Sequence, residues 1–263
     1  MSGDRATIEL EIEVPGRPEE VWRAVATGAG ISSWYVPHTV EEREGGAATA
    51  SFGPGPEMQI AGRVAVWEPP HRVCFDGGEG VEGLVFDWSI EAVDDSRCVV
   101  RLVNSGFGQG GEWDAQYDAM TEGWRMFMFN LRLHLGHFSG QTAASALPMS
   151  MWAGPIEETW TALTDALGIP LAPDIGERIA VESPDAPVLV GTVVDTAPSR
   201  IALLVEQPAP GTAFVAAEGY GEHVGVSIWS YLYGDDGAEA AQRDGPRWQQ
   251  WLNERGPEPD AMP

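Results

Sequence analysis

The stretch WDAQYDAMTEGWRMFMFNLRLHLGHF, residues 113–138, carries the strongest helix signal in the chain. Its main apolar side chains recur at intervals of three, four and seven, which places them on one face of an α-helix. Acidic residues occupy its first turn and basic residues its end, as the helix dipole favours. Met126, Phe129 and Leu133 lie off the main stripe, so the apolar surface is wider than one packing face needs. The pattern predicts a long helix that closes over a hydrophobic cavity with one flank and contacts a second domain with the other.

The bulk composition limits the possible functions. The chain has 263 residues, 43% of them hydrophobic, and a formal net charge of -25 at pH 7, which suits one large globular domain or two ordinary ones. Every basic residue is arginine, so Schiff-base and phosphate-loop lysine chemistry are excluded. The negative charge repels phosphate backbones and anionic lipid surfaces, so we predict neither a nucleic-acid nor a membrane partner.

The sequence lacks the patterns of secreted and membrane-spanning proteins. No basic segment followed by an apolar core opens the sequence, and no apolar run approaches the ~20 residues of a membrane-spanning helix. The sequence therefore predicts a soluble, cytoplasmic protein. Cys74 and Cys98 lie in apolar strand patterns and are interpreted as buried and inert.

The segments before the long helix read as one strand, a helix pair and six further strands. Residues 8–14 alternate between apolar and polar, as in a strand with one buried face. Pro18 opens a short helix. Gly- and Pro-containing turns then separate strands expected at 38–43, 47–52, 58–67, 71–76, 82–93 and 97–104. These spacings are typical of antiparallel hairpins.

Three segments carry a resemblance to a known family: PEEVWRAVATGAGISSWY at 18–35, GRVAVWEPPHRVCF at 62–75 and EGWRMFMFNLRLHL at 122–135. In their order they resemble the helix-grip fold of the SRPBCC superfamily, also called START-like or Bet v 1-like, and in particular the branch of the Hsp90 ATPase activator. The resemblance implies the α+β class, with a curved antiparallel sheet wrapped around a long C-terminal helix. It contains no catalytic signature, so it indicates fold more than function.

An internal repeat extends this interpretation to the whole chain. The pattern Glu20-x-Trp22-x-Ala24 with Gly30-Ile31 recurs at an offset of 138, as Glu158-x-Trp160-x-Ala162 with Gly168-Ile169. We therefore predict two tandem helix-grip domains, 1–140 and 141–256, followed by a disordered tail at 257–263. The second domain is expected to be degenerate, because Gly245-Pro246 should interrupt its last helix near 238–254. A single domain with an accidental repeat is the alternative.

A helix-grip sheet leaves a pocket between its concave face and its long helix. The inward side chains predicted to line and bind there are aromatic, aliphatic or thioether groups: Trp34, Val64, Trp67, Phe75, Leu84, Phe86, Trp88, Trp113, Tyr117, Met120, Trp124 and Met128. Such a lining suits a flat apolar ligand, because aromatic faces stack on it and methionine adapts its shape. The alternative is that these side chains fill the core and leave no cavity.

Catalytic and metal sites are not predicted. His134 and His137 are one helical turn apart, but no further ligand type lies near them, so both are interpreted as surface residues. His38 and His71 are expected to be exposed at strand starts. The loop at 105–111 is rich in glycine but lacks the phosphate-loop pattern, and we interpret it as a gate at the pocket rim. No cofactor is predicted.

Three functions remain open from the sequence. The first is binding of a hydrophobic polycyclic small molecule, for sequestration, self-resistance or biosynthesis. It is favoured by the aromatic lining and by a weaker likeness to START-like proteins of enediyne clusters. The second is an enzyme similar to polyketide cyclases and aromatases, with Tyr117, Glu112 and Arg125 as the candidate groups. The third is a co-chaperone that acts on Hsp90 through a protein surface.

Overall fold

The computed structural model describes residues 7–53, 55–77, 83–106, 111–220 and 223–256, without the side chains of residues 111–116, 118, 119 and 220. The chain divides into two compact units, Met1–Thr142 and Ala143–Pro263. The tail at 257–263 and most of the glycine-rich loop, residues 107–110, lie outside the described residues, so their predicted disorder and gating role stay predictions.

The first unit is one antiparallel sheet with a helix pair and a long C-terminal helix. Its strands are β1 (Ile8–Pro15), β2 (His38–Val40), β3 (Ala47–Ser51), β4 (Gln59–Glu68), β5 (Arg72–Gly77), β6 (Val85–Asp94) and β7 (Arg97–Ser105). Its helices are α1 (Pro18–Ala26), α2 (Gly28–Ser32) and α3 (Gly111–His137), and a 3-10 turn, Pro56–Met58, joins β3 to β4. The sheet order is β1-β7-β6-β5-β4-β3-β2.

The inner face of this sheet follows the predicted alternation. Phe75 pairs with Phe86, and Val73 pairs with Trp88, which in turn pairs with Leu102. Paired residues of antiparallel strands project to the same side. These side chains therefore share one face of the sheet, toward the core of the first unit.

Helix α3 is confirmed as a long helix. Its apolar positions are buried at Trp124, Met128, Leu131 and Leu135, and the helix packs along β1. His134, interpreted from the sequence as a surface residue, is only 3% exposed. That interpretation is wrong, because position 134 falls between the buried Leu131 and Leu135 on the inward side of the last turns.

The second flank of α3 is also covered. Met126 and Leu133 are buried, and Phe129 is half-buried. The arginine Arg132 lies over the Phe129 ring, 4.8 Å from its centroid. The predicted contact of this flank with a second domain stays a prediction.

The second unit has a similar order of parts: two short strands, one helix, five strands and a last helix. Its strands are β8 (Ala143–Ala146), β9 (Met149–Ala153), β10 (Arg178–Ala180), β11 (Val190–Ala197), β12 (Arg200–Gln207), β13 (Gly211–Tyr220) and β14 (His223–Tyr233), and its helices are α4 (Ile156–Leu167) and α5 (Gly234–Arg255). The sheet order is β10-β11-β12-β13-β14-β8, and β9 also pairs with β14. In both units the strands that open the unit pair with the strand that precedes the last helix. The fold class is therefore confirmed as α+β with two helix-grip units.

The last helix of the second unit is continuous, so the predicted interruption at Gly245-Pro246 is wrong. Helix α5 contains Pro246 in its interior. The buried Asp244 accepts hydrogen bonds from Arg243 on its own turn and, at 3.0 Å, from Arg247 on the far side of the proline. Trp248, Trp251 and Leu252 then pack into the core of this unit, and this packing holds the helix together across the proline.

In the described part of the chain, no helix is both long and apolar enough to cross a membrane.

Candidate functional site

A pocket lies at one end of the inner face of the first sheet. It is bounded by α1, α2 and the turn after it, by the hairpin of β3 and β4, by β5 and β6, and by α3. Its lining is almost entirely apolar and largely aromatic: Val25, Ile31, Trp34, Tyr35, His38, Ala50, Phe52, Ile60, Phe75, Leu84, Phe86, Trp88 and Trp124. The arrangement is that of a ligand pocket, with apolar walls and few polar groups.

Two hydrogen bonds between side chains and backbone carbonyls fix Trp34 in the pocket wall. Its indole Nε1 donates to the Ala24 carbonyl at 2.9 Å, and its own carbonyl accepts from Asn130 Nδ2 at 2.9 Å. Helix α2 can approach α1 this closely because residue 30 is glycine; a Cβ there would overlap the Arg23 carbonyl oxygen. The repeated Gly30 of the sequence therefore has a packing role that positions the pocket wall.

Among the described side chains of α3, Trp124 lines the pocket. Its ring meets Tyr35, Phe86 and Trp88 at centroid distances of 4.9, 5.7 and 5.5 Å. Its Nε1 donates to Asn104 Oδ1 at 3.2 Å, and Asn104 Nδ2 donates to the Val85 carbonyl at 2.9 Å. Because Asn104 is fully buried, this polar link fixes the helix and strand β7 in register around the pocket.

The pocket contains half of the predicted ligand-binding residues. Trp34, Phe75, Leu84, Phe86, Trp88 and Trp124 line it. Trp67, Tyr117, Met120 and Met128, together with Val64, are described but do not line it, and the side chain of Trp113 lies outside the described residues. Binding of a ligand by any of these residues stays a prediction.

Trp67 reaches the inner face but at another place. A bulge between Val64 and Val66 shifts the register of β4 against β5, so Val64 and Trp67 project to the same side although they are three residues apart. The Trp67 ring then packs edge-on against Trp22 of α1, with ring centroids 4.9 Å apart. It fills the core under α1 instead of the pocket wall.

Three described side chains of α3 that were predicted to line the pocket lie elsewhere. The Tyr117 hydroxyl donates to the Thr7 carbonyl at 3.0 Å, which ties this turn of the helix to the chain just before β1. Met120 is half-buried and Met128 is buried elsewhere in the interior. Helical spacing alone placed all of them on the Trp124 side, but among the side chains of α3 that the structure describes, Trp124 is the one that lines the pocket.

Sequence reasoning missed two polar residues of the lining, Tyr35 and His38. His38 was expected to be exposed, but it is half-buried and lines the pocket. Its backbone nitrogen donates to Ser32 Oγ at 2.8 Å, which folds the turn back under α2. The prediction was wrong because the segment 33–37 has no helix or strand period from which orientation can be read.

The described side chains that line the pocket are uncharged at neutral pH. Burial lowers the pKa of His38 to about 4, although its hydrogen bond to the Val36 carbonyl opposes this. Burial also raises the pKa of Tyr35 above its ordinary value. Both groups are therefore uncharged at neutral pH, and none of the described lining side chains carries a charge.

Other candidate groups do not converge on the pocket. Arg125 is exposed and pairs with Glu122 at 3.4 Å, and the side chain of Glu112 lies outside the described residues. Both cysteines are buried free thiols, and burial raises the pKa of Cys74 to about 11, so a reactive thiolate is not available at neutral pH. Within the described ranges, no group of three or more His, Cys, Asp or Glu side chains is arranged to hold a metal ion.

The mouth of the pocket is apolar and its volume is small. Phe52 and Ile60, at the end of the hairpin of β3 and β4, are 43% and 38% exposed. The cavity behind them has a volume of about 90 Å³. This is smaller than the ~150 Å³ cavity that admits benzene and the ~300–1,000 Å³ of most ligand pockets. Even a single-ring ligand therefore requires the mouth to open.

The sheet, the long C-terminal helix and the aromatic pocket together define the first unit as a helix-grip domain. Residues 16–136, just under half of the chain, match the family model described as Activator of Hsp90 ATPase homolog 1-like protein. The predicted resemblance to this branch of the SRPBCC superfamily is confirmed over these residues. A comparison with curated protein sequences found no match.

Several solved structures are similar to the chain. The Aha1 dimer of Colwellia psychrerythraea is 19% identical and covers 51% of this chain and 99% of its own, with a TM-score of 0.44. DynU16, from the dynemicin biosynthetic locus, is 19% identical and covers 94% and 96%, with a TM-score of 0.43. The di-domain ARO/CYC BexL of the BE-7585A pathway is 16% identical and covers 95% of both chains, with a TM-score of 0.45. These neighbours are similar to the chain in fold.

Proposed function

We propose that the first unit binds a hydrophobic polycyclic small molecule, such as an aromatic natural product or its biosynthetic intermediate. The observation that supports this function most directly is the aromatic wall of Trp34, Trp88 and Trp124, which offers stacking surfaces around an uncharged cavity. The ligand would be held for sequestration, self-resistance or biosynthesis in the cytoplasm.

The proposal includes an opening step at the mouth. Phe52 contacts Tyr35 only edge-on, with ring centroids 6.1 Å apart, and much of its surface is exposed. Rotation of an exposed side chain meets little packing resistance. We expect Phe52 to move outward on binding, so that the first ring of the ligand occupies the cavity and the remaining rings lie against Ile60 and the hairpin.

A planar three-ring probe, 2-methylanthraquinone, tests the function by quenching of tryptophan fluorescence. Ala50 lines the pocket, and Ala50→Trp should fill it and weaken binding at least ~10-fold. Ala61→Trp is the matched control, because Ala61 is exposed on the adjacent strand and projects to the opposite face from Ile60, the pair of Ala50. Circular dichroism verifies that both variants are folded. Failure of the unmodified protein to bind the probe, or equal loss in both variants, would refute the proposal.

An enzyme similar to polyketide cyclases and aromatases is the second candidate, and the pocket would be its site. The groups first considered for it give little support, because Tyr117 is bonded to Thr7 and Arg125 is exposed. Tyr35 and His38 are the lining side chains able to exchange protons there. Turnover of a linear polyketide thioester that is lost in His38→Phe would favour this candidate over simple binding. No described contact favours the third candidate, a co-chaperone for Hsp90.

A further inference from the structure

Two side chains of the aromatic pocket end in polar groups that the rest of the described structure does not bond. They are the hydroxyl of Tyr35 and the Nε2 atom of His38, on rings whose centroids are 5.4 Å apart. The indole nitrogens of Trp34 and Trp124, in contrast, are engaged by Ala24 and Asn104. A polar group in an apolar pocket gains most from a ligand that satisfies it. The two groups are therefore the positions at which the pocket can select its ligand.

His38 offers an acceptor to the pocket. Its Nδ1 atom lies 2.7 Å from the Val36 carbonyl oxygen, which can only accept, so Nδ1 carries the proton and Nε2 keeps its lone pair. This assignment comes from the hydrogen bond and requires a neutral ring. The lowered pKa of His38, about 4, agrees with it. At neutral pH the imidazole is therefore suited to a ligand that donates a hydrogen bond.

Tyr35 offers the complementary group. Burial raises the pKa of its hydroxyl, so the phenol stays protonated and can donate a hydrogen bond. Its ring is held between Trp34, Trp124 and Phe127, which fixes its direction at the cost of little further side-chain entropy on binding.

We infer that the ligand of this pocket is a neutral hydroxyaryl carbonyl compound, whose hydroxyl donates to His38 Nε2 and whose carbonyl accepts from the Tyr35 hydroxyl. This inference rests on the proposed aromatic-ligand function and specifies its ligand class. A carboxylate ligand is disfavoured, because it only accepts hydrogen bonds and would meet the lone pair of His38 with no cation in the described lining. A purely hydrocarbon ligand would leave both polar groups unsatisfied.

Three probes with the same fused-ring size separate the two contacts. The first, 2-hydroxyanthraquinone, has both functional groups. The second, 2-methylanthraquinone, replaces the hydroxyl by a methyl group of similar size, and 2-hydroxyanthracene lacks the carbonyls. Titrations of the full chain near pH 6 keep His38 neutral and the probe phenols largely protonated. We expect the first probe to bind about tenfold more tightly than either of the others, as one neutral hydrogen bond allows.

Three variants assign these differences to the two side chains. His38→Phe should weaken 2-hydroxyanthraquinone about tenfold and leave 2-methylanthraquinone unchanged. Tyr35→Phe should weaken 2-hydroxyanthraquinone by a similar factor and leave 2-hydroxyanthracene unchanged. His71→Phe is the matched control, because His71 is exposed and does not line the pocket.

The outcomes distinguish this inference from the function on which it rests. Equal affinity of the unmodified protein for the three probes would overturn the hydroxyaryl carbonyl assignment and leave aromatic binding intact. Absence of binding by all three would overturn both. The probe series on the unmodified protein decides the question even where a variant fails to fold.

Discussion

The hydrogen bond between Trp124 and Asn104 provides the sharpest stability test of how the pocket is built. The indole Nε1 and the amide Oδ1 are 3.2 Å apart, and both residues are buried. The substitution Trp124→Phe keeps an aromatic ring in the wall but removes the donor and part of the indole. It therefore leaves the Asn104 oxygen buried without this partner.

The expected cost follows from two contributions. Removing about 40 Å² of buried apolar surface costs about 1 kcal/mol, and the stranded amide oxygen costs a further ~1–3 kcal/mol. We expect Trp124→Phe to lower the free energy of unfolding by about 2–4 kcal/mol. Asn104→Leu removes the acceptor, but it also removes the hydrogen bond to the Val85 carbonyl. A double-mutant cycle therefore isolates the interaction between Trp124 and Asn104, with an expected coupling energy of ~1–2 kcal/mol.

Urea unfolding of the four full-length proteins, followed by far-ultraviolet circular dichroism, measures this coupling. Trp251→Phe in the second unit is the control, because Trp251 is equally buried but its Nε1 has no hydrogen-bond partner in the described structure. It should lose the apolar contribution and part of the contact with Arg255, whose guanidinium lies 4.4 Å from the ring centroid, but it strands no acceptor. A coupling between Trp124 and Asn104 below about 0.5 kcal/mol would show that this bond does not hold the pocket wall, and the reasoning would fail.

Three further predictions concern His134 and two glycines. Burial lowers the pKa of His134 from 6.5 to about 4. Between these two pH values the unfolded chain therefore binds a proton that the folded chain does not. The free energy of unfolding should fall by up to about 3 kcal/mol as the pH decreases through this window. The urea midpoint of His134→Gln should decrease less than that of the unmodified protein over the same pH range. If the two proteins give parallel curves of midpoint against pH, the prediction is wrong. Gly123→Ala should raise the thermal midpoint by an amount equivalent to ~1 kcal/mol, since no described atom lies within 4 Å of the added Cβ in the middle of α3. Gly30→Ala should lower stability by ~2 kcal/mol or more, because its Cβ overlaps the Arg23 carbonyl; similar midpoints for the two variants would refute the packing role of Gly30.

The sequence was informative where side-chain period and pairing act together. Alternation along β6 correctly placed Phe86 and Trp88 inward, since a strand that pairs on both edges has little freedom to rotate. The repeat with Trp22 and Trp160 likewise predicted two units in which an opening strand and helix precede a run of strands and a last helix. Local regularity was enough to predict the fold class and the aromatic character of the pocket.

The exact lining could not be predicted, because it depends on features without a period. The bulge in β4 directs Trp67 toward Trp22, and a bulge is not visible in the hydrophobic pattern. The packing of α3 along β1, with the hydrogen bond from Tyr117 to Thr7, joins residues that are far apart in the chain. His38 reaches the pocket through a turn whose geometry depends on Ser32.

The three indole rings of the pocket wall also give the protein an intrinsic optical signal. Trp34 and Trp88 have ring centroids 5.6 Å apart with an interplanar angle of 76°, and Trp88 and Trp124 are 5.5 Å apart at 74°. Rings held this close and far from parallel couple their electronic transitions, so the set forms a chiral chromophore that absorbs in the near ultraviolet. A molecule that enters the pocket and tilts one ring changes this dichroic band without any label. Occupancy can therefore be followed in crude mixtures of candidate ligands through a property that the fold itself creates.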